Sequence, residues 1–112
     1  MNAQFKKGIL ELCVLAVVRE NDCYGYELVE RISTHIDIAE GTIYPLLRRL
    51  KRLGYFETYL KESTEGPPRK YYRITDSGRQ LTEEMLVEWK AFVCGVEEII
   101  FGGSAEAMES GK

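Results

Sequence analysis

The chain has 112 residues, 45% of them hydrophobic, and its 15 Lys/Arg against 18 Asp/Glu give a formal net charge of −3. This length allows one domain with an appendage and excludes two separate hydrophobic cores. The acidic total does not exclude nucleic acid as a partner, because residues 41–75 hold 8 Lys/Arg against 3 acids while residues 76–112 hold 3 against 8.

The first predicted helix contains the apolar run from Ile9 to Val18. Its apolar residues recur at helical spacing and leave little polar surface, so we expect this helix to be buried. Glu11 interrupts the run, which is far shorter than the roughly 20 residues of a membrane span. A soluble, cytoplasmic protein with no membrane partner is therefore expected.

A second helix is predicted to open at Tyr24–Glu27 (YGYE), after the break at Asn21 and Asp22. Its inward-facing residues are Leu28, Val29, Ile32 and Ile36. Tyr24 stands where the helix amides point outward and attract an anion, so it is either a packed ring or a phosphate contact. Both alternatives are kept.

The third helix, Gly41–Leu53 (GTIYPLLRRLKRL), has two different faces. Its apolar residues at three- and four-residue spacing are Ile43, Leu46, Leu47, Leu50 and Leu53, and they form one stripe. The opposite side carries Tyr44, Arg48 and Arg52, and Arg49 and Lys51 flank this outer row. No acid neutralises these cations within the segment, so this face is predicted to meet an anion. Pro45 is tolerated only in a first turn, which places the helix start near Thr42, either a cap or a phosphate ligand.

A β-hairpin follows the third helix. Residues 55–61 and 69–74 show extended, aromatic-rich patterns, and the segment between them contains Gly66, Pro67 and Pro68. The arms carry further cations at Lys61, Arg69, Lys70 and Arg73. This order of helices and hairpin predicts a winged helix-turn-helix, mainly α with a small β-hairpin (an α+β fold), over residues 1–75.

The last helix is predicted over residues 76–103, capped by Asp76 or Ser77 and ended by Gly102–Gly103, with a disordered tail over residues 104–112. Its apolar residues form a heptad seam and an adjacent row: Met85, Leu86, Trp89, Phe92, Val93, Val96, Ile99 and Ile100. This stripe is wider than one small domain needs. We therefore expect a dimerisation helix, with folding back onto its own core as the alternative.

Three segments, in this order, carry a resemblance to a known family: Tyr24–Glu27 (YGYE), Gly41–Leu47 (GTIYPLL) and Gly66–Thr75 (GPPRKYYRIT). Together they resemble the PadR family of bacterial transcriptional regulators, in its short subclass with a single C-terminal helix. The resemblance implies a homodimer that binds an inverted-repeat DNA operator, usually represses, and is released by a small ligand. It also implies DNA contacts for Thr42, Tyr44 and Arg48, and phosphate contacts for Lys6, Lys7, Arg69 and Lys70.

A small aromatic ligand between subunits is a further hypothesis, with Trp89 and Phe92 as the residues that line its pocket. The commoner role of such a tryptophan is packing in a core.

No cofactor or metal is predicted, because Cys13, Cys23 and Cys94 are widely spaced and lack a CxxC pair. Cys13 and Cys94 are interpreted as buried apolar residues, and Cys23 as either inert or redox-sensing. No motif for an enzyme is present.

Two other binding functions remain as alternatives. A winged helix that serves as a protein adaptor is expected to place acids or apolar groups on the third helix, where this chain has cations. Single-stranded RNA is less favoured, since the wing is expected to lack an exposed aromatic platform. Duplex DNA is therefore the preferred partner.

Overall fold

The computed structural model describes residues 3–102, except for the side chains of residues 3–7 and of Glu40. The elements are α1 (Ala3–Glu20), β1 (Cys23–Tyr24), α2 (Gly25–Ser33), a 3-10 turn (Glu40–Thr42), α3 (Ile43–Arg52), β2 (Phe56–Lys61), β3 (Arg69–Ile74) and α4 (Asp76–Phe101). The α+β prediction is confirmed. The predicted tail and the side chains of Lys6 and Lys7 lie outside the described residues.

The three strands form one antiparallel sheet in the order β1-β3-β2. The predicted hairpin is present, with Phe56 opposite Ile74 and Lys61 opposite Arg69. Strand β1 was not predicted, and the expectation that α2 opens at Tyr24 is wrong by one residue, because Tyr24 pairs with Tyr71 in the sheet. Two residues are too few to show an alternating pattern, so only the tertiary pairing defines this strand.

The core lies between α1, α2, α3 and the sheet. Its fully buried members include Leu10, Val14, Leu15 and Val18 of α1, Leu28 of α2 and Phe56 of β2. The other apolar side chains of α1 that the structure describes, among them Leu12 and Val17, are only half-buried. The expectation that α1 is buried therefore holds for the side that the sheet and the other helices cover, while the rest of the helix is half-buried.

The junction of β3 and α4 is tightly bonded. The Thr75 hydroxyl donates to the carbonyl oxygen of Gly54 at 2.7 Å and accepts from the backbone N–H of Gly78 at 3.0 Å. Thr75 therefore caps α4, rather than the predicted Asp76 or Ser77. Gly78 is buried, and a Cβ atom there would lie far inside van der Waals contact of the Tyr55 carbonyl oxygen.

The chain divides into two compact units, Met1–Thr82 and Glu83–Lys112, with the division inside α4. The helix ends at Phe101, and Gly102 adopts φ +56°, the left-handed conformation that favours glycine after a helix. This agrees with the predicted stop. Among the residues described, no helix is both long enough and apolar enough to span a bilayer.

Candidate nucleic-acid interface

Helix α3 buries one row of side chains and exposes cations on the other side. Its buried residues, Ile43, Leu46, Leu47 and Leu50, are at most 3% exposed, which fixes the rotation of the helix. Arg48, Lys51 and Arg52 are exposed as a result. Leu53 was predicted to extend the buried row, but it follows the last helical residue and is 48% exposed. The chain turns away there into Gly54, whose φ is +86°.

Arg49 is placed differently from the other cations of α3. Its guanidinium is hydrogen-bonded to the carboxylate of Glu11 in α1, and the Glu11 side chain is only 17% exposed. This partly buried ion pair joins α3 to α1, and the Arg49 side chain remains 42% exposed. The prediction that Arg49 belongs to the outer cationic face is therefore corrected, because position 49 faces the first helix.

The start of α3 differs from a simple capped helix. A 3-10 turn leads into it, with the Thr42 N–H donating to the Ala39 carbonyl oxygen at 3.0 Å. The Thr42 side chain forms no capping hydrogen bond and is exposed. Of the two roles predicted for Thr42, the cap is thus not observed. Pro45 falls in the first turn of α3, where its missing N–H has no intrahelical partner to lose.

Tyr44 lies against the beginning of α2. A Cβ atom on Gly25 would stand 2.8 Å from Cε1 of the Tyr44 ring, so the ring can occupy this position only beside a glycine. Tyr44 is half-buried by this contact. The glycine of the YGYE segment therefore serves to bring α3 close to α2, a role that the sequence analysis did not assign.

A cleft of about 390 Å³ opens between the start of α2, the outer side of α3 and strand β3. Three cations from two elements converge on it: Arg48 of α3, and Arg69 and Lys70 of β3. Its other lining residues are Tyr24, Gly25, Tyr26, Tyr44 and Tyr72. The first backbone N–H groups of α2 also lie here, and helix N-termini favour negative charge.

Tyr72 forms part of the wall of this cleft and is 8% exposed. Burial raises the pKa of its phenol, while the nearby Arg48 guanidinium acts in the opposite direction. Tyr72 was not named as a site residue from the sequence. The alternation in β3 contained the signal, since it places Tyr72 and Ile74 on the core face, where both are buried.

A row of three tyrosine rings crosses the other face of the sheet, one from each strand. The ring centroids of Tyr24 and Tyr71 are 5.5 Å apart, and those of Tyr71 and Tyr59 are 5.7 Å apart in a stacked arrangement. The wing therefore has an aromatic row that was not predicted, although all three rings are half-buried and are not the exposed platform that single-stranded RNA prefers. The Tyr24 ring packs against Tyr71, as one of its two predicted roles requires, and Tyr24 also lines the cleft.

Each tyrosine of this row carries a cation. The Arg69 guanidinium lies 4.6 Å from the Tyr24 ring centroid, the Lys61 ammonium 5.0 Å from that of Tyr71, and the Arg73 guanidinium 4.9 Å from that of Tyr59. Distances below about 6 Å are attractive. The row is braced at one end, where the Tyr59 hydroxyl donates to the Asp22 carboxylate at 2.6 Å.

The predicted DNA contacts thus fall into separate groups. Tyr24, Tyr44, Arg48, Arg69 and Lys70 meet around the cleft, whereas Thr42, Lys51 and Arg52 are exposed outside it. Lys61 lies on the outer face of the sheet. Contacts between these residues and DNA remain predictions.

The part of α4 in the second unit keeps its apolar residues accessible to solvent. The eight predicted dimerisation residues are all half-buried or exposed, and Ile99 reaches 83% exposure. The rings of Trp89 and Phe92, the predicted ligand pocket, have centroids 6.5 Å apart. This stretch of helix therefore presents a continuous apolar surface.

The cysteines differ from two of the predictions. Cys94 is exposed and Cys13 is half-buried, so neither is the fully buried residue expected. Cys23 is buried in β1, and burial is the main cause that raises its pKa, which disfavours the reactive thiolate. Across the described residues, no group of three or more His, Cys, Asp and Glu side chains is arranged to hold a metal ion.

Residues 14–84 match the transcriptional regulator PadR-like family. A relative from Lysinibacillus sphaericus, an uncharacterized protein, is 36% identical over 98 residues, covering 84% of this chain and 86% of the relative. The crystal structure of a PadR-like transcriptional regulator from Bacillus cereus is similar at 39% identity and a TM-score of 0.79, covering 88% of this chain and 97% of that one.

A likeness of fold extends to the crystal structure of Bacillus subtilis PadR in complex with operator DNA. The TM-score is 0.64 at 23% identity, over 70% of this chain and 47% of that one. The family match runs from the middle of α1 to the start of α4 and includes every residue that lines the cleft. The chain belongs to the PadR-like family of transcriptional regulators.

Proposed function

We propose that this regulator is a homodimeric repressor that binds an inverted-repeat operator in duplex DNA. The observation that carries the proposal is the convergence of Arg48, Arg69 and Lys70 on the cleft between α2, α3 and the wing. Cations from two elements surround a helix N-terminus there. Such a site suits duplex DNA, which presents backbone phosphates to the wing and base edges beside them to α3.

Helix α3 is the element that we place in the major groove. Its buried row directs Arg48, Lys51 and Arg52 away from the core, and an α-helix fits the width of that groove. Arginine and lysine donors match the acceptors that guanine presents there. Arg49 is left out of this surface because it pairs with Glu11.

The wing and the start of α2 are the elements that we place on the backbone. Arg69 and Lys70 flank the same cleft as the first N–H groups of α2, which suits a phosphate between them. We assign the remaining predicted phosphate contacts to Thr42, Tyr24 and Lys61. Lys6 and Lys7 stay in the proposal on the resemblance alone.

Dimerisation through α4 follows from its apolar surface. An exposed row that contains Phe92, Val96 and Ile99 is unfavourable in water unless another subunit covers it. Two-fold symmetry then presents two copies of α3 to one face of the duplex. To read one face of B-DNA the two helices need to lie about 34 Å apart, one helical turn, and the two-fold symmetry makes the site an inverted repeat.

Release by a small aromatic ligand is the finer part of the proposal. Trp89 and Phe92 lie close enough for both rings to contact one flat molecule held between subunits. Ligand bound there would change how the two copies of α4 pack. If the substitution Trp89→Ala leaves every ligand response of DNA binding intact, this part of the proposal is wrong.

Solved relatives support the choice of DNA. Bacillus subtilis PadR, whose fold this chain shares, was crystallised with operator DNA. Operator DNA as the partner agrees with the cationic cleft and with the exposed cations of α3. The alternative function, a winged-helix protein adaptor, is less favoured. An adaptor is expected to expose apolar or acidic groups on α3, and the exposed side of this helix carries cations instead.

The test is fluorescence anisotropy of the purified protein on the duplex directly upstream of its own gene, at two salt concentrations. A scrambled duplex of equal length and composition is the control. We expect tighter binding to the upstream duplex, weakening as salt rises. Equal and weak binding to both duplexes, followed by a genome-wide selection of bound fragments that recovers none, would favour the adaptor.

A further inference from the structure

Two cations face each other across the outer side of the wing. In the register of β2 and β3, Lys61 lies directly opposite Arg69, and like charges in this position destabilise a hairpin. The carboxylate of Glu65 is 4.0 Å from the Arg69 guanidinium, but Glu65 is 81% exposed and neutralises it weakly. Lys61 has no ion pair among the side chains that the structure describes.

Two tyrosine rings hold these cations against the sheet. The Lys61 ammonium lies over Tyr71 at 5.0 Å, and the Arg69 guanidinium lies over Tyr24 at 4.6 Å. The two rings are themselves in contact, with centroids 5.5 Å apart. Both charges are therefore fixed on one continuous aromatic surface instead of extending freely into water.

A third cation on the same face supplies an internal comparison. Arg73 lies 4.9 Å from the centroid of Tyr59, the same kind of contact as the other two. Its charge, however, is neutralised by Glu57, the residue opposite it in the sheet, at 2.9 Å. The sheet face thus carries one compensated cation and two adjacent cations that lack close compensation.

We propose that Tyr71 and Tyr24 are positioning residues that hold Lys61 and Arg69 as a two-cation site for one backbone phosphate of duplex DNA. The site rests on the proposed function and shares Arg69 with the cleft, which Arg69 also lines. It adds Lys61 and the two rings that hold the cations of the wing against the sheet. A phosphate removes the repulsion between the two cations. The rings reduce the freedom that both long side chains lose on binding.

The test is a double-mutant cycle on Lys61 and Tyr71, read as affinity for the upstream duplex at several salt concentrations. We expect Lys61→Met to lower the slope of log K against log salt by less than about 0.9, the value for one whole phosphate contact, because Arg69 still contacts the shared phosphate. Tyr71→Leu should weaken binding by about 2- to 5-fold, whereas Tyr71→Phe, which keeps the ring, should not. The double variant should bind no more weakly than Lys61→Met alone.

Arg73→Met is the matched control, because it removes a cation of the same face whose charge is already neutralised. We expect it to leave the salt slope unchanged. A slope lowered as much as in Lys61→Met would overturn the site, and so would additive losses in the cycle. An equal loss in Tyr71→Phe and Tyr71→Leu would do the same, since the hydroxyl would then be the active group.

A measurement without DNA separates positioning from folding. The ring current of Tyr71 should shift the NMR signals of the Lys61 ε-methylene protons upfield in the unmodified protein and in Tyr71→Phe, and not in Tyr71→Leu. Random-coil shifts in all three proteins would overturn the positioning role. If the unmodified protein binds no duplex, the proposed function fails together with this site, whereas salt-dependent binding with an additive cycle overturns the site alone.

Discussion

Helix α3 and the last five turns of α4 have similar apolar periodicity, but their apolar rows differ in exposure to solvent. In α3 the apolar row is at most 3% exposed, whereas Ile99 in the corresponding row of α4 is 83% exposed. The row of α3 finds its partners in α1, α2 and the sheet of the same chain. Apolar periodicity therefore identifies a helix surface that must be covered. It does not say whether the same chain or another subunit covers that surface.

The largest expected effect tests this comparison directly. Leu47→Ala removes a fully buried side chain and should lower the free energy of unfolding by about 2–5 kcal/mol at every protein concentration. If α4 forms the proposed dimer, Ile99→Ala should instead produce a loss that depends on protein concentration, because the contacts of Ile99 would lie between subunits. Urea denaturation at two concentrations a hundredfold apart distinguishes them. A concentration-independent loss at Ile99 equal to that at Leu47 would contradict the dimer.

The second prediction compares the two parts of α4. Gly78→Ala forces a Cβ atom against the Tyr55 carbonyl oxygen and should cost about 1–3 kcal/mol of unfolding free energy. Gly95→Ala, in the same helix, meets no atom within 4 Å and should stabilise by about 0.5–1 kcal/mol. Thermal denaturation by circular dichroism measures both. Equal effects at the two sites would mean that the start of α4 is no more closely packed than the rest.

The third prediction concerns the exposed side of α3 against the wing. Arg48→Ala should weaken binding to the operator by about 1–3 kcal/mol with little change on a scrambled duplex, as expected of a base contact. Lys70→Ala should weaken binding to both duplexes and lower the salt slope by about 1, as expected of a phosphate contact. Anisotropy titrations of both variants decide it. An equal loss on both duplexes for both variants would remove the division of roles.

The smallest effect concerns the bonded junction that joins the wing to α4. Thr75→Val keeps the shape of the side chain but removes the bonds to the Gly54 carbonyl and the Gly78 N–H, and should cost about 1 kcal/mol. Thr75→Ser retains both bonds and should cost less. Chemical denaturation measures the difference. If Thr75→Ser destabilises as much as Thr75→Val, the packing of the methyl group matters more than the cap.

Much of the fold was predictable because its signals are local. The spacing of Leu46, Leu47 and Leu50 predicted the buried side of α3, and the alternation in residues 69–74 predicted β3 with its observed bounds. Strand β1 was missed since two residues carry no periodicity. Its existence depends on Tyr71, which is 47 positions away in the chain.

The candidate site was predictable in part. The cations Arg48, Arg69 and Lys70 were chosen from the sequence, and the structure brings them around one cleft. Arg49 shows the limit of this reasoning. A helical wheel places Arg49 beside the outer cations. In the structure its guanidinium is instead hydrogen-bonded to Glu11 in α1, 38 residues earlier in the chain. Long-range pairing of this kind has no signature in either segment alone.

The sequence by itself determined the hairpin, the buried and exposed sides of α3 and the family, because repeated spacing and local motifs are properties of consecutive residues. Two arrangements depend on the tertiary structure alone: the contacts among the tyrosine rings under the wing cations, and the position of the Tyr44 ring beside Gly25. These contacts join residues from different strands and helices. Their distances follow from how the elements pack, which spacing along one segment does not encode.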